Sequence, residues 1–258
     1  MRQLQADAHW QWHEQQITSA QWKAQVSNDD LQGQVQGQWQ PAASGGLGWL
    51  DLKAQVARAQ ANRIYRYLPV DLPAEVRRYV RESVRAGSVS GLQIRIKGDL
   101  DKVPMAHVRD GEFRFAGHLQ DVEMAYVPTH LLPTGSVAWP ALRGIQGELV
   151  FERQGMHLTG ASARFGEGRQ AVQVQNLSAN IPDLAHDSQL SVQADLKGPA
   201  QQVLRTLQQS PVNRMLSGAL SQAGASGALQ GKLKLTVPLM HTNDTKVQGS
   251  VTLAGNDV

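Results

Sequence analysis

The side chains that could do chemistry are histidines and acidic residues, and their spacing predicts no active site. His9 and His13 are four residues apart, a spacing that chelates a metal on a helix but places them about 13 Å apart on a strand. Near pairs of carboxylates lie at predicted strand ends, where acidic turn residues are common: Asp99 with Asp101, Asp110 with Glu112, and Asp121 with Glu123. We therefore predict no enzyme activity, no metal site and no cofactor.

Two glycine-rich stretches match known motifs only in part. Residues 166–171, GEGRQA, carry the letters of a dinucleotide fingerprint, which must follow a strand and open a helix. An alternating strand-like stretch follows instead, so we predict a turn between two strands. Residues 87–91, GSVSG, have the wrong spacing for a nucleophile elbow. Cysteine is absent, which rules out disulfides and thiolate metal sites.

Composition narrows the class of protein. At 258 residues the chain can bury a sizeable core, as one large all-β domain or two smaller ones. A net charge of +3 with 18% charged residues argues against a nucleic-acid partner. No stretch approaches the roughly 20 apolar residues that cross a bilayer. Residues 1–16 lack the apolar segment of a signal peptide.

The stretch from Arg63 to Met105 predicts a short helix, an amphipathic helix over residues 73–86 and a long strand. Asp71 is the predicted cap of the amphipathic helix and Gly87 its stop. The helix has an apolar stripe and an arginine face, which leaves two arrangements open. It lies either on an anionic membrane or against the sheet with its arginines in water.

Alternating apolar and polar residues predict about a dozen strands along the chain. Residues 50–61 are ambiguous between strand and helix, residues 111–126 are predicted as two strands, and residues 200–209 and 212–221 as a helical pair. A pattern of apolar residue, Gln and Gly recurs within strands that begin at Ile145, Leu229 and Val247, and more weakly at Leu31. Each glycine shares the apolar face, where it thins the sheet or allows a bend.

Twelve strands in series make a sheet about 55 Å wide, and open sheets of that width curl or fold over. The predicted helices are too few to cover all of its apolar surface. Two halves of the sheet therefore close on each other, or something outside this sequence fills the trough between them.

Motifs in the middle of the chain resemble the central domain of the YhdP-type proteins, which belong to the AsmA-like superfamily of Gram-negative envelope proteins. The resemblance covers residues 50–200 best, and Met105 departs from it where an aromatic residue is expected. The motifs that carry the resemblance are YLP at 67–69, RAGSV at 85–89, IKGDL at 96–100, VPM at 103–105, GEFRF at 111–115, VEMAY at 122–126, WPAL at 139–142 and GIQGEL at 144–149.

The resemblance implies a mainly β fold, a long curled antiparallel sheet with an open apolar groove and two short helical insertions. Residues 1–49 would supply the first strands, residues 50–198 the central segment, and residues 199–258 a helical pair and the last strands. The whole would be a longer periplasmic protein, anchored in the inner membrane by a helix absent from this sequence. It would conduct phospholipids between the inner and outer membranes, with envelope proteins as further partners.

The groove itself would then be the site, holding acyl chains. For each candidate residue the alternative is a place in a closed core, and for the protein it is a structural or adhesive β-domain that binds protein or glycan. The candidates are Leu92, Ile94, Ile96, Phe113, Phe115, Leu149, Phe151, Leu233, Leu235, Val251 and Leu253.

Overall fold

The protein forms one open, antiparallel β-sheet. The computed structural model describes residues 3–14, 16–43, 45–132, 135, 138–166, 168, 171–208, 224–241 and 244–254. Within these residues twelve strands follow one another in chain order, each hydrogen-bonded to its neighbours in sequence. The first strand pairs with the second and the last with the eleventh, so the sheet is not closed. The predicted fold class is confirmed.

The strands are long, and most connections between them are short. They are β1 (Gln3–His13), β2 (Gln16–Ser27), β3 (Leu31–Gln40), β4 (Trp49–Gln60), β5 (Val84–Asp99), β6 (Gly111–Met124), β7 (Leu142–Glu152), β8 (Gly155–Phe165), β9 (Val172–Ile181), β10 (Gln189–Pro199), β11 (Ala228–Pro238) and β12 (Lys246–Ala254).

α-Helices occupy two of the longer connections. Short 3-10 helices lie in two others, Leu100–Lys102 and Val108–Asp110 between β5 and β6, and Thr129–Leu131 between β6 and β7. A 3-10 helix, Ala61–Tyr67, and helix α1, Ala74–Ser83, join β4 to β5, and helix α2, Ala200–Gln208, follows β10. The segment left ambiguous at 50–61 is strand β4 almost to its end. The predicted helix at 212–221 lies outside the described residues.

The predicted bounds and cap of α1 are wrong. The prediction of 73–86 extends into β5, which begins at Val84 with an extended backbone. Pro73 stands at the N-cap position without a side-chain cap, so Asp71 does not cap the helix. A proline can stand there because the first helical N–H groups need no partner within the helix.

Gly87 does not stop the helix but lies inside β5. Its φ is +99°, and a Cβ there would lie 2.5 Å from the Cα of Val122 on β6. A glycine is therefore required here because two strands approach closely. In the sequence, a glycine with this role looks the same as a glycine that ends a helix.

The two strands predicted within 111–126 are one strand, β6. Its alternation breaks at Asp121, where φ is +49° and the register with β7 shifts between Leu119 and Val122. A bulge lets a strand continue through such a break while bending it.

Bulges of this kind bend the middle of the sheet. Register shifts occur in five successive strand pairs, from β5 with β6 to β9 with β10. Each of the strands β5 to β9 has a residue with positive φ at its register shift, and these residues are Gly91, Asp121, Gly144, Gly160 and Asn176. Because each bulge bends its strand, the bulges together curve the sheet across these strands.

The buried core fills only part of the apolar face. It lies mainly at the ends of β5 to β9 nearest α1, where the 3-10 helix packs against the sheet through Ala61 and Ile64. The buried members are Ala61, Val89, Val122, Ile145, Ala161, Ala163, Val174, Leu177 and Ala194.

Helix α1 packs against the protein, as in the second of its two predicted arrangements, but its arginines do not all lie in water. The Tyr79 hydroxyl donates to the carbonyl of Tyr126 at 3.1 Å, and His130 Nδ1 lies 2.6 Å from Glu82 Oε2. Burial raises the pKa of Tyr79. Arg77 donates to backbone carbonyls, the shortest of these bonds being 2.7 Å to Pro69. The helix is thus held by polar contacts as well as by packing.

Candidate functional site

The predicted groove residues all lie on one face of the sheet. Side chains alternate between faces along a strand, and register partners share a face. Ile94 pairs with Phe115, and Phe115 pairs with Phe151. The remaining candidates lie on β5, β6, β7, β11 and β12. When the register pairs are followed across the intervening strands, these candidates lie on the same face as Ile94, Phe115 and Phe151.

One row on this face crosses the whole sheet with an apolar residue or glycine on every strand. Its members are register partners except Leu92 and Gly117, which lie close together where the register of β5 and β6 shifts. It runs over a distance of about 53 Å at the usual strand spacing. From β1 to β12 its members are Leu4, Val26, Gly33, Val56, Leu92, Gly117, Leu149, Leu158, Ala179, Val192, Leu235 and Val247. We call it the long apolar row.

A second row on the same face crosses nine strands. Phe115 of this row packs against Phe113 on the same strand, and their ring centroids are 5.0 Å apart. Its members from β1 to β9 are Ala6, Ala24, Val35, Ala54, Ile94, Phe115, Phe151, Met156 and Ile181. The apolar surface is therefore at least two residues wide across most of the sheet.

The predicted groove residues are not buried in a closed core. Ten of them have described side chains, and each is half-buried or exposed, with Val251 61% exposed. Leu92 packs against the edge of the buried core. Leu253 lies in β12, and its side chain is outside the described part of the chain. Exposed apolar surface of this extent is unusual for a monomeric protein and is typical of binding surfaces.

Sequence reasoning missed several residues of this face. Leu52 pairs with Ile96 but lies in the segment that was ambiguous from sequence. Leu158 and Val192 lie in strands that were predicted, and their alternation would have identified them. Trp22 faces the same side opposite Gly37, whose missing side chain makes room for the indole.

The opposite face is polar and carries charge networks. Arg95 donates to Asp51 and to Glu112, which flank it on β4 and β6. The hydrogen bond from Arg95 lowers the pKa of Asp51. The two faces of the sheet thus differ sharply in polarity.

Most of the histidines and carboxylates considered for catalysis or metal binding are exposed or take part in turn and cap contacts. His9 and His13 are exposed on β1. Asp99 accepts from the backbone N–H of Asp101, and Asp110 takes part in a capping box with His107. Among the described residues, no cluster of His, Asp and Glu is arranged to hold a metal ion.

The remaining acidic pairs form structural contacts. Glu123 lies within 4.0 Å of the guanidinium groups of Arg85 and Arg143. The glycine-rich stretch at 166–171 joins β8 to β9, so a strand follows it and not a helix, as predicted. In the part of the chain that the structure describes, no helix has the length and apolar character needed to cross a bilayer.

The chain is similar to known proteins. The whole chain, residues 1–258, matches the family model described as YhdP protein. The "Intermembrane phospholipid transporter YhdP" of Escherichia coli (strain K12) is 26% identical over 211 residues, which cover 81% of this chain. The chain spans 15% of the length of that curated relative. No solved structure matches it.

Proposed function

The chain belongs to the YhdP family, and from this membership we propose that it is one segment of a longer protein that conducts phospholipids along its apolar face. The relative in Escherichia coli is named an intermembrane phospholipid transporter. The proposed cargo is a phospholipid, and the proposed contact is between its acyl chains and the long apolar row.

The observation that carries the proposal is the unbroken course of that row across all twelve strands. Each CH₂ group that leaves water gains about 0.8 kcal/mol. A row without a charged residue therefore provides similar stabilisation at every strand, and a lipid can move along it without a deep trap. Transport of this kind is passive and needs no catalytic residue.

The two-faced sheet suits a lipid with a polar headgroup. Acyl chains can lie on the apolar face while the headgroup stays in water beyond the strand ends. The bulges of β5 to β9 curve the sheet, and a curved surface contacts more of an acyl chain than a flat one. A tightly closed core with no trough would instead favour a structural or adhesive domain.

The proposed location of this segment is the periplasm of a Gram-negative cell. There the segment would form part of a bridge between the inner and outer membranes. Contacts with either membrane, and with envelope proteins, would be made by parts of the longer protein outside this sequence.

Site-specific photocrosslinking tests the proposal at neighbouring positions. A benzophenone amino acid is introduced in place of Ile96, on the apolar face, or of Lys97, on the polar face of the same strand. We expect a phospholipid adduct in cells from position 96 and little or none from position 97. Equal labelling of both positions, or no adduct at 96, would argue against the proposal.

A further inference from the structure

Six glutamines of the polar face line an open cavity over strands β1 to β5, with a volume of about 570 Å³. They are Gln3, Gln25, Gln32, Gln34, Gln55 and Gln93, and the lining also includes Val26, Gly33, Val56 and Leu92 of the long apolar row. Among its described lining residues none is charged. A solvated strand surface elsewhere on this face carries lysine, arginine and aspartate, so the uncharged lining is a local feature.

The glutamines form an ordered ladder. Gln25, Gln34, Gln55 and Gln93 are register partners on four successive strands, and Gln5 extends the row onto β1. Gln34 Nε2 donates to Gln55 Oε1 at 3.1 Å, which holds the two central amides in place. The rungs are separated by the strand spacing of about 4.8 Å.

The backbone beneath the ladder is irregular in a way that opens the cavity. Ala57 is the extra residue of a bulge in β4, since Gln32 pairs with Arg58 and Gly33 with Val56. Gly91 lies at the neighbouring bulge of β5, with a φ of +59°. Both bulge residues line the cavity, and a Cβ on Gly91 would meet nothing within 4 Å.

We propose that this glutamine cavity binds an uncharged, β-linked glycan chain lying across the strands. Each amide offers two donors and an acceptor, which matches sugar hydroxyl and acetamido groups. The absence of charge in the described lining suits a neutral ligand. The spacing of the rungs is close to the length of one pyranose in an extended β-linked chain, so each amide can meet one sugar residue.

A peptide fits the same ladder less well. An extended peptide advances about 3.3 Å per residue, out of step with rungs about 4.8 Å apart. The inference does not depend on lipid conduction, because the glutamine side chains that carry it lie on the face opposite the long apolar row.

Titration with chitohexaose, an uncharged β-1,4-linked oligomer of N-acetylglucosamine, tests the proposal. Binding to the chain is measured by calorimetry, with maltohexaose as the α-linked comparison. The double variant Gln34→Ala with Gln55→Ala removes the central rungs. The matched control, Gln21→Ala with Gln38→Ala, removes another exposed pair of register partners from the same face, outside the cavity.

We expect chitohexaose to bind the wild type and the control equally, and the Gln34 and Gln55 variant at least tenfold more weakly. Circular dichroism should show the same fold and thermal midpoint for both variants. The proposal is overturned if chitohexaose does not bind, if maltohexaose binds as tightly, or if the cavity variant retains full affinity. Displacement of chitohexaose by an uncharged extended peptide of higher affinity would overturn it in favour of a peptide.

Discussion

Leu92 and Gly117 join the two halves of the long apolar row. They face each other where the register of β5 and β6 shifts, and a Cβ on Gly117 would lie 3.2 Å from the Cα of Leu92. It would also lie 2.9 Å from Cγ1 of Val89 in the buried core. The row continues across the bulge because one of its members has no side chain.

Gly117→Ala should therefore destabilise the protein. The added methyl group forces the backbone of β5 away from β6, and overpacking of this kind typically costs about 1–3 kcal/mol. The measurement is the urea midpoint of unfolding. Gly224→Ala is the control, because a Cβ there would meet nothing within 4 Å. Equal midpoints for the two variants would contradict the close approach.

Arg153 should stabilise the connection between β5 and β6. Its Nη1 donates to the carbonyls of Met105 at 2.7 Å and Gly111 at 3.0 Å, and Met105 is fully buried beneath that connection. Arg153→Ala leaves these carbonyls without their donor, at a cost of about 2 kcal/mol. Hydrogen exchange of residues 100–110 should accelerate selectively. Unchanged exchange there would show that the guanidinium does not hold the segment.

The docking of α1 should weaken in acid. Hydrogen bonds from Arg78 and then from His130 lower the pKa of Glu82. A carboxyl with a lowered folded pKa stabilises the fold above its unfolded pKa, about 4.3, and loses that contribution as the pH falls through the folded value. The urea midpoint of Glu82→Gln should lie below that of the wild type at pH 7, and the gap should close towards pH 3. A gap that is the same at both pH values would contradict this role of Glu82.

The sequence predicted the sheet and its apolar face well, because alternation is a local property. Leu92, Ile94 and Ile96 alternate with polar residues, and this periodicity alone assigns them to one face. Predictions failed where one residue type serves two purposes. Gly87 matched a helix stop, yet its conformation is needed for a close approach to Val122.

Features that depend on neighbouring strands could not be predicted. Residues 111–126 were predicted as two strands, whereas pairing with β7 carries β6 through the bulge at Asp121 as one strand. The glutamine ladder likewise requires the register of five strands, since its members are far apart in sequence. Whether an apolar face is covered is also a property of the whole sheet and not of one segment.

Native mass spectrometry of the chain purified from bacterial cells tests the central claim most directly. The variant Leu233→Glu places a charge on the apolar face between Ala194 and Gly249, and Lys234→Glu places the same residue on the polar face of the same strand. We expect phospholipid at a defined stoichiometry on the wild type and on Lys234→Glu, and its loss from a folded Leu233→Glu. A lipid-free mass for the wild type, or equal lipid on both variants, would contradict binding along this face.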